Sequence, residues 1–148
     1  MKSLLKVAAT AGLILALGAA SPPPNEPELV VNLAGLRNAK GQVHLCLTGQ
    51  AARFLKCQED KQAVALTVPA SKAAHLSLGR VAPGTYALLV VHDENANGRL
   101  DMMMGIPREG FGFSNNPTIR MRAPRFDEVR FTLTPGSATQ NIRLKYVL

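Results

Sequence analysis

The chain has 148 residues, 47% of them hydrophobic, with 12 glycines, 10 prolines and a formal net charge of +7. That length suits one domain and leaves no room for a second. A charged fraction of 18% beside this apolar content excludes disorder over the whole length, because there is enough apolar surface to build a core.

Lys2 and Lys6 precede the apolar run Val7 to Leu17, which is followed by Gly18, Ala19 and Ala20. Basic, apolar, then small is the order of a secretory signal peptide, here expected at 1–20 with cleavage after Ala20. The run is too short for the roughly 20 residues that span a bilayer, and every later apolar stretch is strand-length, so no transmembrane segment is expected after cleavage. Losing Lys2 and Lys6 leaves 15 basic residues against 10 acidic, a balance of +5. The expected location is the periplasm or the external medium. Residues 21–27 hold four prolines and read as an extended linker, which leaves 28–148 as the folded domain.

From there apolar residues recur with a period of two. Leu29, Val31 and Leu33 alternate, as do Val43, Leu45 and Leu47, then Val64, Leu66 and Val68, then Leu76 and Leu78. These patterns predict half-buried strands. The segment from Thr85 to Val91 is apolar on both faces, as a central strand covered on both sides requires. Val129, Phe131 and Leu133, then Ile142, Leu144 and Tyr146, predict two more strands. Turn signals at Asn38 to Gly41, Pro83-Gly84, Asn97-Gly98 and Pro135-Gly136 separate them. No helical period is convincing, and only Ala51 to Lys56 reads as a helical turn. The expected fold is therefore all-β, an antiparallel sandwich of about seven strands, immunoglobulin-like or transthyretin-like. Val31, Leu45, Leu66, Leu78, Leu88, Val90, Phe131 and Leu144 should share its core.

Cys46 and Cys57 are the two cysteines. In an exported chain such a pair tends to be bridged, and ten intervening residues do not make a C-x-x-C redox or metal pair.

Asp93 to Asp101 reads D-x-N-x-N-G-x-x-D. Oxygen-bearing side chains at loop positions one, three, five and nine, with glycine at six, suit calcium. Asp93, Asn95, Asn97 and Asp101 would supply side-chain oxygens and Arg99 its carbonyl. Position twelve is Met104, so a further carboxylate is needed, and Glu109 is the nearest. With two certain carboxylates, affinity should fall in the weak range of extracellular modules, roughly 10⁻⁴ to 10⁻³ M. The same residues also suit a metal-free loop in which Asp and Asn accept backbone amides. Both readings stand on spacing alone.

The strings H-D-E-N-x-N-G-x-L-D, His92 to Asp101, and G-I-P-x-E-G-x-G-F-S-N-N, Gly105 to Asn116, occur in that order. With P-G-T-Y-A-L-L-V-V upstream and P-x-F-D-E-V-R-F at Pro124 to Phe131, the chain resembles the bacterial exported "domain of unknown function 2141" family. The resemblance implies export and a β-sandwich and brings no reaction with it. The cysteine pair lies outside this signature, so the bridge rests on the argument from compartment. Within Gly105 to Pro117, glycines alternate with Phe111 and Phe113, which predicts an ordered long loop anchored on the core. Ser114, Asn115 and Asn116, with Glu109, form a candidate binding surface; alternatively they satisfy the loop's own backbone.

Ser114, His92 and an aspartate invite a hydrolase reading, but G-F-S-N-N lacks the second glycine of a G-x-S-x-G elbow. His44, His75 and His92 stand singly on different expected strands, as structural histidines do. Gly110 and Gly112 are too few for a dinucleotide fingerprint. After Gly110, six basic residues, among them Arg120, Arg122 and Arg125, face only Asp127 and Glu128. In an exported protein that bias would meet anionic lipids and envelope polymers rather than nucleic acid, but a generic solvated sheet face is the preferred reading of it. The expectation is an exported, non-catalytic module binding an envelope protein or an anionic envelope polymer. Its rivals are a metal-dependent hydrolase using the Asp93 to Asp101 loop and a structural accessory subunit.

Overall fold

The computed structural model describes residues 25–120, 122–136 and 138–148; the expected signal peptide and linker residues 21–24 lie outside them. Ten strands account for most of the regular structure: β1 (Glu28–Ala34), β2 (Gln42–Thr48), β3 (Val64–Pro69), β4 (His75–Arg80), β5 (Gly84–Asp93), β6 (Met102–Met103), β7 (Ile106–Pro107), β8 (Gly110–Phe113), β9 (Phe131–Leu133) and β10 (Ala138–Arg143). One sheet has the order β10-β1-β4 and the other β3-β2-β5-β8, with β9 beside the first residues of β5. The pair β6-β7 stands apart as a two-stranded hairpin.

Period-two alternation turns one side of each strand inward. Leu29, Val31 and Leu33 of β1, with Leu76 and Leu78 of β4 and Ile142 of β10, meet Val43, Leu45 and Leu47 of β2 and Leu88 and Val90 of β5 in one buried cluster. Of the eight expected core residues, six are buried there; Leu66 and Phe131 are partly buried against it. The two sheets thus face each other across a shared core, the arrangement of a sandwich. A second cluster, Phe54, Ala87, Phe111, Phe113 and Val129, covers the outer face of β5, with Leu89 packed against it. That is why Ala87 to Val91 reads apolar on both faces.

Three local features differ from the sequence expectation. Pairing is not antiparallel throughout: β10 lies parallel to β1, with Val31 opposite Gln140. Because nearly the whole chain separates the two, it has ample length for the crossover that parallel pairing requires. Val129 does not begin a strand but ends a short helix, α1 (Phe126–Val129), where the Glu128 carboxylate accepts the Arg125 N–H at 2.6 Å and secures the first turn. Part of the expected loop after Gly105 is strand β8, hydrogen-bonded to β5 with Phe111 opposite Val91.

The helical turn expected at Ala51 to Lys56 is present as 3-10 structure over Ala51–Glu59, burying Phe54 and Cys57. Cys57 is bridged to Cys46 of β2, with their Cα atoms 6.2 Å apart. The disulfide ties this irregular segment to the sheet.

Candidate functional site

β5 ends on Asp93, which is fully buried, and the chain then turns through the Asn/Asp loop. Its carboxylate organises that turn. Oδ1 accepts the Asn97 N–H at 3.1 Å; Oδ2 accepts the Gly98 N–H at 2.7 Å and the His44 Nε2–H at 3.1 Å. Burial pushes the Asp93 pKa up, but these donors outweigh it and leave the group below its ordinary value. Gly98, at φ 81°, supplies the left-handed conformation that position six of the loop demands.

Across the loop, Asn95 and Asn97 both turn their amides to Asp101, donating to its carboxylate at 2.7 and 2.9 Å. Those two bonds, led by Asn97, hold the Asp101 pKa below its ordinary value. Their Oδ1 atoms accept the N–H groups of Asn97 and Arg99 at 3.1 and 3.0 Å. The structure therefore brings Asp93, Asn95, Asn97 and Asp101 into one connected loop. Glu109, buried at the start of β8, returns to its mouth and accepts the N–H of Glu94 at 2.9 Å and of Asp101 at 3.0 Å. Every carboxylate of the loop thus has an N–H donor from the chain itself.

A clamp missed in the sequence fixes this loop to the body. Arg37, in the turn after β1, reaches the Glu94 carboxylate through Nε at 3.0 Å and also donates to the main-chain oxygens of Arg108 at 3.0 Å and Leu148 at 2.6 Å. Its guanidinium also lies 4.5 Å from the centre of the Tyr146 ring. The Arg37 bond is the main reason that the Glu94 pKa lies below its ordinary value. No motif marks Arg37, because its partners lie 57 to 111 residues further along the chain.

Beyond Asp101 the chain projects as the β6-β7 hairpin. Met102 pairs with Pro107 and Met103 with Ile106, leaving Met104 and Gly105 as a two-residue turn with φ of 51° and 79°. Met102, Met103, Met104 and Ile106 are all exposed, Met104 by 96%. The run Met-Met-Met in a loop was the signal for this apolar tip, and alternation-based reading passed over it.

The other nominated residues bind the chain's own backbone. Ser114 Oγ donates to the Val129 carbonyl at 2.6 Å and accepts the Leu88 N–H at 3.0 Å. Asn115 donates to the Arg130 carbonyl at 2.8 Å. Asn116 both donates to the Asn141 carbonyl and accepts the Arg143 N–H, at 2.7 Å each. His92 is buried and donates to the Lys40 carbonyl at 2.8 Å, which leaves Nδ1 to accept the Tyr146 hydroxyl at 2.7 Å. Neither ring nitrogen is directed at Ser114. His75 lies 2.6 Å from Asn32, so the three histidines have separate partners. Among the described residues, no group of three or more His, Cys, Asp or Glu is placed to hold a metal ion. Arg122 and Arg130 pair with Glu128 and Asp127, which offsets part of the basic bias after Gly110. A shallow cavity of about 310 Å³ lies at the opposite end of the sandwich, lined by Pro27, Glu28, Arg80 and Pro135 among others. No helix among the described residues is long and apolar enough to cross a membrane.

No curated protein and no solved structure matched the chain. A family model described as "Uncharacterized protein conserved in bacteria (DUF2141)" matches residues 31–141, a span that holds the Asn/Asp loop, the hairpin, β8 and the Ser114 to Asn116 turn. The chain belongs to this bacterial family.

Proposed function

We propose that this protein is an exported, non-catalytic binding module of the bacterial envelope, working through the end of the sandwich that carries the 93–109 segment, with calcium held by Asp93, Asn95, Asn97 and Asp101. The observation that carries the reading is the linkage of four oxygen-bearing side chains in one short loop, anchored to the core through buried Asp93. Calcium would replace the two amide donors as the counter-charge to Asp101, and the Arg99 carbonyl would complete the loop's own oxygens. Two carboxylates and neutral oxygens favour a hard cation held weakly, as suits an extracellular setting. The buried serine and histidine, each engaged with the chain's own groups, support a role without covalent chemistry.

A second reading has its own observation. The N–H donors already on Asp93, Asp101 and Glu109 allow the loop to close as turn chemistry alone. The melting temperature separates the two. At a calcium concentration about tenfold above Kd, binding to the folded state alone adds about 1.4 kcal/mol and raises Tm by a few degrees. Asp101→Ala should abolish that rise while leaving the Asp93 anchor in place. Identical wild-type curves in millimolar calcium and in chelator would overturn the calcium reading.

A further inference from the structure

The β6-β7 hairpin is apolar where the rest of the surface gives no reason for it to be. In a two-residue turn with both φ positive, the first position favours Asn, Asp or Gly, and a long side chain in the left-handed region is strained. Met104 occupies that position at φ 51° with 96% of its surface in water. Strand alternation sends Met102 and Met103 to opposite faces, yet they are 52% and 46% exposed, so neither face of the hairpin rests on the body. An isolated two-stranded hairpin has little stability of its own, and this one instead projects from the Arg37 and Glu109 attachments at its base.

The charges around the tip favour one kind of surface. Arg99 and Arg108 flank it, both exposed, and among the described residues neither has a carboxylate within ion-pair distance. Of the nearby acids, Asp93 and Glu109 are buried and Glu94 is held by Arg37; Asp101, half-buried and bonded by two asparagines, is the one carboxylate near enough to feel the charges of Arg99 and Arg108. From Met102 to Arg108 there is no acidic residue.

We propose that the Met102–Ile106 tip docks on an anionic lipid bilayer, its methionines entering the acyl boundary while Arg99 and Arg108 meet the phosphate headgroups. Unbranched, adaptable methionine side chains need no shaped pocket, which suits a fluid surface. This rests on the reading of the 93–109 end as the binding end, but not on calcium.

The test is co-sedimentation of the protein, as the cell exports and processes it, with phosphatidylglycerol and with phosphatidylcholine vesicles, in chelator. Binding to the anionic vesicles, weakened by salt and by phosphatidylcholine, is expected. Met104→Asn puts a favoured residue in the turn, so Tm should stay level or rise while partition falls about tenfold or more. Arg99→Gln and Arg108→Gln should each weaken it about fivefold. Absent binding of the wild type, equal binding to both lipids, or a Met104→Asn protein that binds as well as wild type would overturn the proposal. Because chelator is present throughout, a missing calcium shift in Tm would remove the metal and leave this result unaffected.

Discussion

Asp93 links the core to the loop through a single carboxylate, and its neighbours Glu94 and Asp101 are held in the same charged state by different means. All three have folded pKa values below the ordinary 3.8 and 4.5 of Asp and Glu. The unfolded chain therefore binds more protons than the folded one as pH falls through that range, so stability rises with pH there. Their contribution should be complete above about pH 5.5 and should decline through the ordinary values toward the lower folded ones. Urea midpoints should fall steadily between about pH 5.5 and pH 3, and less steeply in Asp93→Asn; parallel profiles for the two proteins would show that Asp93 is not the coupled group. These side chains were legible as a set because D-x-N-x-N-G carries its chemistry in its spacing. Arg37 was not, since long-range pairing leaves no local trace. Ser114, Asn115 and Asn116 were visible as polar, but their use is set by which carbonyls the fold brings to them.

At the level of elements, β8 shows how a strand can hide. Its core-facing positions are Gly110 and Gly112, and its large residues, Phe111 and Phe113, point outward to the second cluster. The apolar period is therefore inverted relative to an ordinary strand, and the segment reads as a loop. The glycines are needed because β10 and the residues just after it cross close by: a Cβ on Gly112 would stand 2.7 Å from Ile142 Cγ2 of β10, and one on Gly110 would meet the Tyr146 ring. Gly112→Ala should cost about 1–3 kcal/mol in urea denaturation, the usual penalty for overpacking a buried site. No change would mean that β8 and β10 are less closely apposed. β1 to β5 were legible because one face of each meets the core. The strand expected over Val129, Phe131 and Leu133 is present as β9 from Phe131 on; Val129 was drawn into it because the three keep a period of two across the end of a helix only four residues long.

Over the whole molecule, the disulfide and the Arg37 clamp secure opposite ends of the sandwich. The Cys46–Cys57 bridge closes a separation of 11 residues, for which loop entropy predicts about 2–3 kcal/mol, acting on the unfolded chain. Reduction should lower the unfolding free energy by that amount without altering the far-ultraviolet circular dichroism, and the native protein should show no reactive thiol until then. Two free sulfhydryls in the native protein would refute the bridge. The all-β class and the shared core were readable from periodicity. The parallel contact of β10 with β1 was not, because periodicity fixes which face is buried and says nothing of neighbour or direction.

That contact imposes an order of events on folding. Asn32 of β1 bonds to Asn141 of β10, 109 residues later, so the middle strand of its sheet keeps one edge open until almost the entire chain is available. An open edge of this kind can pair with the wrong chain, and long-range closure is slow. The sandwich therefore cannot be completed piecemeal as its residues emerge from a ribosome. The topology itself delays closure, and β10 acts as the latch.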